Sequence, residues 1–125
     1  MRKQYFFRPS RHGYYAWDVD RLISLAATLE AREVPLSQIR ELDLPFRLEG
    51  SDEVPTHREI AEHARLIEAA DLSFPIILSS DGRLMDGMHR VLKALNSGRT
   101  TIAAFVFDRD PEPDHVDVLP GDLPY

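Results

Sequence analysis

The stretch from Phe74 to Phe107, FPIILSSDGRLMDGMHRVLKALNSGRTTIAAFVF, decides the fold. Phe74-Pro75-Ile76-Ile77-Leu78 is a short apolar run suited to a buried strand. Asp81-Gly82 is a turn signal, and Leu84-Met85 continues as a second extended pair. A helix from about Gly87 to Ser97 would bury Val91, Leu92, Ala94 and Leu95, with Gly98 just past its last turn, where a left-handed residue ends helices. Thr100 to Phe107 has the β-branched and aromatic content of a further strand.

The charges at the start of that helix point to an anion. The first amides of a helix have no partner within it, and its dipole disfavours cations there, so His89 and Arg90 in the first turn cost up to about 1 kcal/mol. A phosphate held by the amides of Gly87, Met88 and His89, with His89 or Arg90 closing over it, satisfies the amides and both cations together. Gly87 would allow close backbone approach, and Lys93, one turn on, could reach a distal phosphate. The competing explanation is local: Asp86 caps the helix, Arg90 pairs with Glu62 or Glu68, and His89 and Lys93 are surface residues.

Upstream, Thr56 and Glu59 have capping-box spacing ahead of a helix to about Ala70, with Ile60, Ala61, Ala64, Leu66 and Ile67 as its apolar stripe. Asp43 to Val54, with Pro45, Gly50 and Ser51, is expected to be loop, and Glu33 to Arg40 a short extended segment. An earlier helix should start at Asp18 or Asp20, bury Leu22, Ile23, Leu25, Ala26 and Leu29, and run to about Arg32. The aromatic arm from Lys3 to Trp17, broken by Pro9-Ser10 and His12-Gly13, is predicted to form two short strands. Three parts of one domain follow: 1–32 as strands and a helix packed on the core, 33–108 as the core, and 109–125 as an acidic, irregular, solvated tail. The expected class is α+β, a small mixed sheet from the strands near Val34, Ile76 and Ala103 with two or three helices against it.

Composition narrows the chemistry. With no cysteine among 125 residues, disulfides, thiolate chemistry and cysteine-based zinc sites are excluded. A net charge of −6 argues against a partner such as duplex DNA, which is held by many Lys and Arg contacts. No apolar run approaches the roughly 20 residues that cross a bilayer, and Tyr5-Phe6-Phe7-Arg8-Pro9 is not a signal core, so the expected location is cytoplasmic with no membrane contact.

The order of these features, with the box Asp86-Gly87-Met88-His89-Arg90, resembles the ParB/sulfiredoxin superfamily. Pro75 to Leu78, Asp81-Gly82, the box, Lys93-Ala94-Leu95, Gly98 and Thr101 to Val106 resemble its core, Val34 to Ile39 its first strand, and Pro55 to Ala70 its next helix. The resemblance implies that the start of the Gly87 helix holds the phosphates of a nucleotide, ATP, ADP or CTP. Gly87, His89 and Arg90 match, whereas the sulfiredoxin box has its reacting cysteine where this chain has Met88, which excludes that reaction. The ParB box has Glu and Arg where Met88 and His89 stand, so the nearest box is that of the ADP-dependent free serine kinases.

A small-molecule kinase or nucleotide hydrolase would further need a base and usually Mg²⁺. The resemblance places an acid in the loop after the first strand, where Glu41, the first choice, and Asp43 are candidates. Asp86 beside a phosphate would repel it unless it holds a metal ion or caps the helix, and the cap is preferred. Two other readings stand beside the enzyme. One is a ParB-like DNA-associated protein or nuclease, against which the charge and the lack of a helix-turn-helix segment count. The other is a non-catalytic module sensing a nucleotide or another phosphate-bearing small molecule, as a homodimer through the aromatic arm.

Overall fold

Ile76, Ile77 and Leu78 form the most deeply buried strand, and the remaining elements arrange themselves around it. The structure, a computed structural model, describes residues 3–45 and 54–125, so Gly50 and Ser51 of the expected loop lie outside the described residues. In chain order the elements are β1 (Tyr5–Pro9), β2 (Tyr14–Asp18), α1 (Val19–Ala26), β3 (Arg32–Pro35), α2 (His57–Ala69), β4 (Ile76–Leu78), β5 (Leu84–Asp86), α3 (Met88–Asn96), β6 (Thr101–Val106) and β7 (His115–Val118). Short 3-10 turns cover Leu36–Gln38, Arg40–Asp43 and Pro120–Asp122. The chain is α+β, with three helices and two small sheets among the described residues.

The larger sheet has the order β3-β6-β4-β5, with β4 parallel to β6 and the other pairs antiparallel. It is the mixed sheet expected around Val34, Ile76 and Ala103. Alternation along β4 separates two cores. Ile76 and Leu78 face Val91 and Ala94 of α3, whereas Ile77 faces Trp17, Leu22 and Ala26 from the N-terminal hairpin and α1. The second sheet, β1-β2-β7, carries the aromatic arm as two paired strands.

Local signals held where side chains act on their own backbone. Asp18 caps α1 by accepting from the Asp20 amide at 2.9 Å, and Thr56 and Glu59 form both bonds of the capping box on α2. Gly82 and Gly98 take the positive φ values, 83° and 78°, that a hairpin turn and a helix end require. Tertiary pairing overrode the pattern elsewhere. Helix α1 stops at Ala26, not near Arg32, because Val34 is drawn into the core opposite Ile102 and the chain must already be extended at Arg32. The stretch after Asp108 is not an irregular tail: β7 pairs with β2, Asp114 accepts from the Asp18 amide at 2.8 Å, Asp117 from the Ser10 hydroxyl at 2.6 Å, and Leu123 is buried. Helix α2 buries none of its residues fully, with Ile60 52% exposed, because its main packing partner is α3, on the outside of which it lies.

A polar clamp fastens the hairpin to the larger sheet. Arg8 of β1 donates to Asp81 at 2.6 Å and to the Ser79 hydroxyl at 3.1 Å. Fully buried Ser79 donates to Asp81 in turn and accepts from the Arg83 amide at 2.9 Å. The Ser79 hydroxyl, together with Arg8 and Arg83, lowers the Asp81 carboxyl from 3.8 to about 2. A carboxyl that ionises more readily when folded adds stability above its unfolded value, and that contribution disappears as pH falls through its folded one. Wild-type Tm is therefore expected to fall between about pH 4 and pH 2 more steeply than that of Asp81→Asn, the two curves converging at the acid end. Parallel curves in circular-dichroism melts would show that Asp81 does not couple pH to folding.

Candidate functional site

Strand β5 runs directly into α3 through Gly87, which caps the helix in a left-handed conformation (φ 115°, ψ 25°). A side chain there would place its Cβ 2.6 Å from Ile76 Cγ2, so glycine is required by the approach to β4 as well as by the backbone. No side chain caps the first turn, and the expected Asp86 cap is not formed. Asp86 instead pairs with Arg90 at 2.8 Å. Its position one residue before a left-handed glycine turns the carboxylate toward Arg90, one helical turn on, and away from the helix amides.

Arg90 goes further. Its Nη1 donates to the carbonyls of Phe74 at 3.1 Å and Pro75 at 2.7 Å, binding the chain just before β4 to the first turn of α3. The partners suggested by sequence, Glu62 and Glu68, are not used: Glu62 pairs with Arg65. The cation that disfavours a helix start is thus compensated within the chain by one carboxylate and two carbonyls.

His89 and Lys93 point away from the sheet and hold α2. His89 Nε2 lies 3.3 Å from His63 Nδ1, one imidazole donating to the other. Lys93 Nζ donates to the carbonyls of Glu68 at 2.7 Å and Ala70 at 2.9 Å, placing a cation at the negative end of the α2 dipole. Met88 packs partly against the core.

Of the base candidates, Glu41 is tied to β5 by accepting from the Leu84 amide at 2.8 Å, and its Oε1 is buried without a hydrogen bond among the described residues. Asp43 is exposed on the second 3-10 turn. The structure thus brings Asp86, Gly87, His89, Arg90 and Lys93 together around α3, with Glu41 against the strand that leads into it. Asp86 is a poor ligand for Mg²⁺, because its carboxylate already neutralises Arg90, and no group of three or more potential metal ligands occurs among the described residues.

Sequence reasoning missed His63 and the backbone carbonyls. His63 had a signal: it lies on the α2 stripe between Ile60 and Ile67, at the spacing of a face that packs on a neighbour. The carbonyls of Phe74 and Pro75 had none, since every residue carries one.

No protein-family model, no curated protein and no solved structure matches the chain. No helix among the described residues is long and apolar enough to cross a membrane.

Two substitutions check this wiring. Gly87→Ala is expected to cost about 1–3 kcal/mol in urea unfolding, from the forced φ and the collision with Ile76. Lys93→Met keeps the aliphatic stem but removes the donor, and should lower stability by about 1–2 kcal/mol. Hydrogen exchange would then speed up in the last turn of α2 first, and a uniform acceleration across the sheet would contradict the local role.

Proposed function

We propose that the chain is a nucleotide-phosphate-binding protein of the ParB/sulfiredoxin type, whose anion site is the first turn of α3. The observation that carries this is the left-handed, uncapped Gly87 start of the helix, next to an acid already neutralised by Arg90. Oriented amides at a helix start favour a phosphate through both hydrogen bonding and the dipole. Arg90 contributes by cancelling the Asp86 charge that would otherwise repel the ligand, rather than by gripping the phosphate itself.

Binding is favoured over turnover. Glu41 is engaged by the Leu84 amide, and Asp43 lies exposed on a turn, so neither is set as a base by a partner that would orient it toward the first turn of α3. The nucleotide class comes from the resemblance of the Asp86 to Arg90 box and its flanking strands, and the acidic balance disfavours a DNA partner.

Thermal shift with ATP, ADP, CTP and inorganic phosphate, each with and without Mg²⁺, tests the proposal. A ligand at 100 times its Kd should stabilise the fold by about 2.7 kcal/mol. His89→Glu sets a negative charge on the first turn, where it suits the helix dipole, and leaves His63 a partner. The variant is expected to keep its unliganded Tm within a few degrees while losing the ligand-induced shift. Absence of a shift with every ligand, or a shift that survives in His89→Glu, would rule the site out.

A further inference from the structure

A concave surface lies at the other end of β5 from α3, beside the Ser79–Arg83 turn. It is an open hollow of about 540 Å³ lined by Arg8, Pro9, Tyr15, Trp17, Arg83 and Pro113. That volume falls within the roughly 300–1,000 Å³ of small-molecule sites. Strand geometry explains the lining: Tyr15 and Trp17 are two apart on β2 and share a face, with ring centroids 6.2 Å apart, and Arg8 of β1 is the register partner of Tyr15.

The lining is aromatic and basic, with Arg8 paired to Asp81 and to Asp110 at 3.6 Å, and Arg83 paired to Asp81. The Arg8 guanidinium lies 6.0 Å from the Trp17 ring and is held in place by Asp81 and Ser79. The indole N–H of Trp17 is already used by the Pro111 carbonyl at 2.8 Å and the residue is 5% exposed, so Trp17 offers the hollow only a small part of its ring. Arg83 touches Asp81 through Nε at 3.3 Å and is 44% exposed, and its terminal amino groups make no hydrogen bond among the described residues. Asp81 is thus shared by Arg8, Arg83 and Ser79, which leaves the outer face of Arg83 as the open donor of the hollow.

We propose that this hollow binds a small flat anion, a single aromatic ring bearing a carboxylate or phosphate. The ring lies against Tyr15 and Pro113, beside the small exposed part of Trp17, and the anionic group takes the fork of Arg83. A ring without charge leaves Arg83 unused, and a charge without a ring leaves Tyr15 exposed to water, so the two features together define the ligand.

Trp17 is the only tryptophan in the chain, so its fluorescence reports the hollow directly. The full chain is titrated with benzoate and phenyl phosphate, and with acetate, inorganic phosphate and benzamide as probes lacking the ring or the charge. The expected result is a saturable change in emission with at least one aromatic anion, which also distinguishes carboxylate from phosphate. Arg83→Gln and Tyr15→Ala should each weaken it at least tenfold, and Arg83→Lys should restore part of the loss. Circular dichroism checks that the variants remain folded, and both positions are exposed. No saturable change with either aromatic anion, an affinity that Arg83→Gln leaves unaltered, or equal binding of benzamide and benzoate would overturn the proposal. Dependence on Arg83 also separates this response from any binding at the start of α3.

Discussion

The guanidinium of Arg90, in the first turn of α3, joins the carboxylate four residues back at the end of β5 to the carbonyls of Phe74 and Pro75, sixteen and fifteen residues away just before β4. Most of the larger sheet depends on that junction. Strands β4 and β5 form a hairpin and β4 is parallel to β6, so α3 is the crossover that must return over the sheet. The crossover can start in the right place only if the chain leaves β5 close to Ile76, and this is the approach that Gly87 permits and any Cβ would block. Once there, Val91 and Ala94 fall onto Ile76 and Leu78 and close the first core.

The same box builds outward as well as inward. Arg90 looks down toward the sheet, whereas His89 and Lys93 look up and carry α2, a helix with little apolar burial of its own. Stability is therefore graded across the layers. The strands are secured by apolar contacts on both faces, and α2 by a few polar contacts to one neighbour. Elements held in this way open at lower free energy than the sheet they cover.

Much of this was legible in sequence because it rests on local rules. The buried run Ile76-Ile77-Leu78, the Asp81-Gly82 turn, the Thr56 capping box and Gly98 act within a few residues of themselves, and each formed where expected. What stayed hidden depends on distant partners. The strand near Val34 was expected, but its start at Arg32, and with it the early end of α1, is set by the edge that β6 offers, and His115 to Val118 becomes a strand because β2 offers another; neither outcome is carried in the composition of the stretch itself. The box was partly legible in the same sense. Its charge pattern correctly indicated that the cations need compensation, yet pattern alone cannot distinguish a bound anion from a carbonyl fifteen or sixteen residues away, and for Arg90 the compensation is internal.

That internal compensation constrains the anion site proposed for α3. With Asp86 and Arg90 closed on each other, and His89 and Lys93 turned to α2, the first turn offers dipoles and amides but no uncommitted ionic charge from the box. On the proposed reading such a site binds by geometry, with the amides facing the ligand oxygens directly, while Gly87 serves the approach to Ile76 rather than to the ligand. Sites built on lysine and arginine attract any polyanion from a distance, and salt weakens them strongly. A neutral, preorganised helix start discriminates instead by the shape and spacing of the oxygens it meets, which suits a compact phosphate on a small molecule better than the extended backbone of a nucleic acid. The chain's negative balance works in the same direction, since it weakens long-range attraction for polyanions without affecting the short hydrogen bonds that the proposed site would make.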